Sequence, residues 1–211
     1  MNSIYSTEDI IECGVDEAGR GPIFGRLYAG ACIWKKDLKD SRIKDSKKYT
    51  DIKKREEAYN FVIENSISWG VSYVEPYDLD KDGMTNSLMK VMHRAIENTY
   101  IFPEHILVDG NYFKPLLNDY DRGKYSYTTI IGGDNSYYSI AGASIIAKVE
   151  HDRYIDELCE KYPILKEYDI HNNKGYGTSK HLDAIKSLGG ITNLHRKSFK
   201  CNSDYPVIFN L

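Results

Sequence analysis

Four acidic residues, Asp16, Glu17, Asp109 and Asp134, are the groups in this chain best placed to do chemistry. Asp16 and Glu17 are adjacent, at the end of an apolar run (Ile10, Ile11, Cys13, Val15) and just before Gly19-Arg20-Gly21-Pro22. Two carboxylates beside an apolar strand are costly unless water, a cation or hydrogen-bond donors stabilise them. Gly19 and Gly21 permit a tight turn and let the backbone approach a ligand closely. Asp109 follows the apolar run Ile106-Leu107-Val108, and Asp134 follows Gly132-Gly133. If these chain positions converge, the four acids form an oxygen-rich pocket suited to Mg²⁺ or Mn²⁺ and not to zinc. Hard cations held in this way promote attack of water on a phosphodiester. Lys47, Lys148, Arg153, Lys174 and Arg196 are basic groups available for phosphates. Each acid also has an ordinary reading. Asp16-Glu17 fits a surface pair before a turn, Asp109-Gly110 a turn after a strand, and Asp134 a helix N-cap.

The elements that must position these residues can be read from periodicity. Ile23 to Trp34 reads as a mostly buried strand, hairpin-paired with the strand before Asp16. Thr50 or Asp51 caps a charged helix through Ala58, Tyr59, Val62 and Ile63. Ile67 to Val74 alternates as a third strand, and Tyr77 to Gly83 reads as a polar turn. Thr85 or Asn86 then caps a helix with the apolar face Leu88, Met89, Met92, Ala95, Ile96 and Tyr100, stopped by Pro103. A helix feeding the short strand 105–108 is the crossover of an α/β domain, and the hairpin start makes the sheet mixed. Asp109 would then lie at the carboxyl end of a strand, where open α/β sheets place their sites.

Asn111 to Gly123 reads as a loop and Tyr125 to Ile131 as a strand. A helix from Ser139 follows, whose small residues permit close approach to the sheet. Asn172 to Thr178 is a glycine-punctuated loop displaying Tyr176, and Thr178 or Ser179 caps a helix ended by Gly189-Gly190. His195-Arg196-Lys197-Ser198-Phe199 is a final basic cluster, and the tail from Cys201 carries no clear signal. With no repeat or composition break, one domain is expected over residues 1–211.

At 211 residues the chain can bury one large core. The net charge of −3 does not mark a nucleic-acid binder. The window Lys35–Arg55 nevertheless carries ten basic residues against four aspartates, enough for a polyanion site or a solvated face. No apolar run is long enough to span a membrane and no secretory leader is visible, so a cytoplasmic protein is expected. The four cysteines form no Cys-x-x-Cys pair, which fits reduced thiols and argues against zinc.

Gly14-Val15-Asp16-Glu17-Ala18-Gly19-Arg20-Gly21-Pro22 closely resembles the signature of the type 2 ribonuclease H family (ribonuclease HII). The resemblance continues in order through Asp45-Ser46-Lys47, Val108-Asp109-Gly110, Gly133-Asp134, Ala143-Ser144-Ile145-Ile146-Ala147-Lys148-Val149 and Asp152-Arg153. Lys174-Gly175-Tyr176-Gly177-Thr178, His181 and His195-Arg196-Lys197-Ser198-Phe199 complete it, over about residues 11–199. It implies an α/β, ribonuclease H-like fold: a mixed five-stranded sheet flanked by helices, with a helical, substrate-binding C-terminal part over about 160–211. It also implies an endonuclease that hydrolyses the RNA strand of RNA–DNA hybrids and nicks 5′ to single ribonucleotides in duplex DNA. Two divalent ions, Mg²⁺ or Mn²⁺, would be held by Asp16, Glu17, Asp109 and Asp134, and the products would carry 5′-phosphate and 3′-hydroxyl ends.

In the family the tripeptide at Gly19-Arg20-Gly21 reads the ribose 2′-hydroxyl, and the tyrosine at 176 packs on the deoxyribose after the junction. Lys47, Ser144, Lys148 and Arg196 would also meet substrate. Arg20 favours the HII type, since the HIII group usually has lysine there. A monomer in the cytoplasm is implied, or in the host cytoplasm if the source is viral. Three positions depart from the family pattern: Gly132 in place of lysine, His151 in place of arginine, and Gly142 in place of alanine. The first two put local phosphate contacts in doubt. Two other classes are a DNA-junction resolvase of related fold and a non-catalytic hybrid-binding protein, and the four acids argue against the latter.

Overall fold

The apolar run before Asp16 and the one after Pro22 become the first two strands of a sheet. In the computed structural model, which describes residues 1–6, 9–115 and 125–211, strand β1 (Glu12–Ala18) pairs antiparallel with β2 (Leu27–Ile33). β2 is buried along its whole length. That explains its unbroken run of apolar and small residues, as expected of a strand covered on both faces. Helix α1 (Ile52–Asn65) follows, capped by Asp51, whose side chain accepts the Lys53 N–H at 2.9 Å. It returns the chain to β3 (Ser68–Val74).

The segment expected to be a turn is a helix, α2 (Pro76–Asp82). Pro76 stands in the first turn, where its missing N–H costs nothing. Leu79 is buried, and Gly83 ends the helix at φ 77°. A single buried leucine among polar residues gives too little periodicity to betray a two-turn helix. The next helix, α3 (Met84–Glu97), therefore begins earlier than expected, with Thr85 and Asn86 inside its first turn. It also ends earlier. Tyr100 lies beyond it and is 88% exposed, so it takes no part in the apolar face formed by Leu88, Met89, Met92, Ala95 and Ile96.

Strand β4 (His105–Asp109) runs parallel to β1, and β5 (Ser126–Ile130) runs parallel to β4. The sheet order is β3-β2-β1-β4-β5, the mixed five-stranded sheet that was expected. Part of the expected loop 111–123 lies outside the described residues. Helix α4 (Tyr138–Lys161) packs directly on the sheet. A Cβ on Gly30 would stand 2.3 Å from the Ala143 carbonyl oxygen, and one on Gly14 2.3 Å from the Ile140 nitrogen. Two glycines on adjacent strands thus let the helix backbone touch the sheet. Gly142 has a similar reason, since a Cβ there would meet the Cys32 Sγ at 2.9 Å.

The C-terminal part is mostly helical, with α5 (Ile170–Asn173), α6 (Ser179–Leu188) and α7 (Lys200–Ser203). Thr178 caps α6 and Gly189 ends it at φ 74°. The tail with no clear sequence signal adds β7 (Val207–Phe209), which pairs in parallel with β6 (Ile191–Thr192). The chain divides into two compact units. One comprises Met1–Ala18, Tyr28–Tyr73 and Leu88–Val149; the other comprises Gly19–Leu27, Val74–Ser87 and Glu150–Leu211.

Candidate metal centre

Parallel pairing of β1 with β4 sets Val15 opposite Val108, so the following residues, Asp16 within β1 and Asp109 at the end of β4, stand side by side. Asp134 arrives from the 3₁₀ turn Gly133–Asn135 after β5, which the chain enters through Gly132 at φ 68°. Only a residue that tolerates the left-handed region makes that entry cheaply. This accounts for glycine at 132 in structural terms. The Gly133 N–H donates to Asp109 Oδ1 at 2.7 Å and ties the turn to the strand end.

Ligand oxygens of Asp16, Asp109 and Asp134 all lie within 4.8 Å of one another. Asp16 and Asp134 are buried. Burial, then the negative charges of Glu17 and Asp109, hold the Asp16 carboxyl well above the ordinary range, against hydrogen bonds from Ser144 and the Glu17 N–H. Burial likewise raises Asp134, helped by Asp45 and Asp109 and opposed by Lys47. Three crowded carboxylates, with Asp16 and Asp134 held back from ionising, fit a hard divalent cation, which would remove their mutual repulsion and accept their oxygens.

Glu17 stands apart from this group. It is half-buried and close enough for its charge to act on Asp16, but it is not one of the three clustered carboxylates.

Lys47 faces the acids. Burial works against its charge, yet Asp16, Asp134, Asp45 and Asp109 together hold its ammonium above the ordinary value. Asp45, Ser46 and Asn135 had no role assigned from sequence. Asp45 is buried and its Oδ1 accepts the Lys47 N–H at 2.9 Å, capping the 3₁₀ turn Ser46–Lys48. Ser46 Oγ lies 2.9 Å from Ser144 Oγ, and Ser144 bonds Asp16. Asn135 donates to Asp134 Oδ1 at 2.9 Å and to Asp45 Oδ2 at 3.5 Å, while Lys48 donates to Asn135 Oδ1. The lysine-bearing turn is thus tied to the acids through both Ser144 and Asn135. An Asp-Ser pair before lysines is a capping pattern, and that was the available signal for Asp45. Lys148, half-buried, follows Ser144 by four residues on α4 and so shares its face.

The other expected site residues belong to the second unit. Gly19 turns at φ 86°, and a Cβ on it would meet the His151 ring at 2.8 Å. His151 is buried, with Nδ1 3.0 Å from Asp152 Oδ1, and serves as packing behind this turn. Arg20 and Gly21 are exposed. A Cβ on Gly21 would stand 3.1 Å from Tyr176 Cε1, so the tyrosine ring lies against the glycine turn while remaining 46% exposed.

Arg196 requires a correction. Expected to meet substrate, it is wholly buried, and its guanidinium donates to the carbonyls of Gly25 (2.8 Å), Pro22 (2.7 Å) and Arg26 (2.8 Å). Burial pulls its pKa down to about 10. A planar fork with several donors can hold three carbonyls of one loop at once. Arg196 therefore shapes the chain that follows the glycine turn and is too enclosed to reach a phosphate.

The family model for ribonuclease HII matches residues 13–202. Ribonuclease HII of Bacteroides thetaiotaomicron is 41% identical over 207 residues, 98% of this chain and 98% of that protein. The crystal structure of ribonuclease H2 from Pyrococcus horikoshii superposes with a TM-score of 0.70 at 26% identity, covering 91% of this chain and 95% of the other. The ribonuclease HII solved with PCNA from Archaeoglobus fulgidus gives 0.66 at 25% identity, covering 90% and 96%. The matched span takes in β1, β4 and the turn after β5 that bring the carboxylates together, and it continues into the C-terminal part; the chain belongs to the ribonuclease HII family.

Proposed function

We propose that this protein is an endonuclease that hydrolyses the RNA strand of RNA–DNA hybrids and nicks 5′ to single ribonucleotides in duplex DNA, leaving 5′-phosphate and 3′-hydroxyl ends. The observation that carries this reading is the convergence of Asp16, Asp109 and Asp134 within 4.8 Å. In this proposal those three residues, with Glu17, hold two divalent ions, Mg²⁺ or Mn²⁺. When bound, such ions supply charge neutralisation and a water activated for attack on phosphorus.

The remaining roles belong to the chain's own groups. Lys47 keeps a positive charge beside the acids for the phosphate backbone, with Lys148 and Ser144 on the adjoining helix face. Choosing RNA requires sensing the 2′-hydroxyl, the group DNA lacks. The backbone of Gly19-Arg20-Gly21 does this, since glycines remove the bulk that would keep a ribose away. Tyr176 offers its exposed ring to the deoxyribose that follows the ribonucleotide. The proposal extends to a monomer working in the cytoplasm, where the four free cysteines would stay reduced.

The test is a labelled DNA duplex carrying one ribonucleotide, incubated with Mg²⁺ or Mn²⁺. Nicking on the 5′ side of the ribonucleotide is expected, and Asp16→Asn or Asp109→Asn should abolish it without unfolding the protein. Activity retained in both variants would sink the site assignment. Cutting of all-DNA junctions in place of the ribonucleotide duplex would point to a resolvase.

A further inference from the structure

His181 and His195 lie in two of the sequence motifs that the proposed chemistry leaves unused. They form a buried chain of hydrogen bonds whose direction the partners dictate. The Thr192 backbone N–H can only donate, and it lies 3.0 Å from His195 Nδ1, so that nitrogen is the acceptor. His195 must then carry its proton on Nε2, which stands 3.0 Å from His181 Nε2. His181 Nε2 accepts, which leaves the proton on Nδ1, 3.0 Å from the Tyr176 carbonyl, a group that can only accept. Every link is satisfied by one tautomer of each ring. Burial pulls the His195 pKa down to about 3, with His181 adding to the effect, and burial lowers His181 as well, so both rings are neutral. The Tyr168 ring packs against both imidazoles and its hydroxyl donates to the Gly190 carbonyl at 2.9 Å, which leaves the pair little room to turn.

We propose that His195 and His181 are positioning residues that set the Tyr176 backbone, and through it the ring that meets the sugar after the ribonucleotide. The relay rests on the reading of Tyr176 given above. It ends at the residue whose side chain lies on Gly21, so a shift of the Tyr176 carbonyl moves the ring that faces the sugar. Misplacement by about 1 Å is enough to cost a reaction up to roughly a hundredfold.

The experiment compares kcat/KM on a single-ribonucleotide duplex with kcat/KM on a long RNA–DNA hybrid. His181→Phe removes the side-chain donor to the Tyr176 carbonyl, leaving it the Thr178 N–H at 2.8 Å, and should lower this ratio roughly tenfold. His181→Asn keeps an N–H at the Nδ1 position and should restore the ratio to within about threefold of wild type. Both variants lose the bond from His195, so both should melt at lower temperature, which a purely structural role would also produce; only the ratio separates them. An unchanged ratio in His181→Phe, or an equally low one in His181→Asn, overturns the proposal. Should His181→Phe fail to fold, nitrogen-15 NMR of the wild-type imidazoles decides. Protons on His195 Nε2 and His181 Nδ1 support the relay, and the opposite tautomers overturn it. Tyr176→Ala distinguishes the two readings. An unchanged ratio there removes the junction role itself, whereas a reduced ratio there with an unchanged ratio in His181→Phe removes only the relay.

Discussion

Two buried polar clusters lie in the two units of this chain, and their energetics are opposite. Around Asp16, Asp109 and Asp134 burial works against the charge of Asp16 and Asp134 above all, and repulsion between like charges adds to it. Around Arg196, His181 and His195 the donors meet acceptors: three carbonyls for the guanidinium, one for His181, and a ring nitrogen for His195. A cluster that satisfies itself stabilises the fold and needs nothing from outside. A cluster that repels itself is kept because something else completes it. The contrast separates the part of the molecule built to hold a ligand from the part built to hold its own shape.

The largest effects should come from breaking each cluster. Arg196→Met would leave three buried carbonyls short of a donor, and a cost of about 3–5 kcal/mol is expected in urea unfolding, with loss of activity following from lost structure. Arg196→Lys should rescue little of it, because a point charge cannot serve three acceptors in a plane. The acid cluster should behave in the opposite way. Asp16→Asn should abolish cleavage yet leave the metal-free protein as stable as wild type or more so, since it removes a buried like charge. Equal destabilisation by both substitutions would erase the contrast between the clusters.

The acid cluster also makes a pH prediction whose sign follows from linkage. The Asp16 and Asp134 carboxyls are raised in the folded state, so the native protein holds their protons more tightly than the unfolded chain does. Their contribution to stability is therefore present below the ordinary carboxylate range and is lost as pH rises from there through the raised folded values. In a chelator the melting temperature should include a component that falls across that interval. Asp16→Asn should flatten it, and added Mg²⁺ should oppose it by binding the folded form. A chelated protein whose melting temperature shows no such component would argue against strained carboxylates.

The smallest effect is expected where helix meets sheet. Gly142→Ala gains about 1 kcal/mol of helix propensity, but its Cβ must displace the Cys32 Sγ from 2.9 Å. The two terms oppose each other, and a net change within about 1 kcal/mol in urea unfolding is expected. A loss several times larger would mean that the packing at Cys32 cannot yield.

Much of this molecule was legible in its sequence. Apolar runs of strand length marked β1, β2 and β4, alternation marked β3, the run Tyr125 to Ile131 marked β5, and the places of the acids after apolar runs or glycines picked out all four. Local signals such as the Asp51 and Thr178 caps also held. Helix α2 was missed because a short polar helix has too few buried positions to show a period. Tyr100 was misplaced because a matching spacing can continue past the end of a helix. Arg196 was misread for a different reason. Residue type and a basic neighbourhood suggest a phosphate contact, but only the fold shows that the side chain points inward to three carbonyls.

The division follows from what each level of description contains. The order of residues determined that acids follow apolar runs, that glycines flank Arg20, and that histidines recur near the end. These are properties of adjacent residues, set by backbone and side-chain chemistry. Tertiary structure alone decided that Val15 pairs with Val108, so that two carboxylates 93 residues apart in the chain stand together. It alone decided which histidine nitrogen carries the proton, because a tautomer is chosen by its partners and partners are brought together only by folding.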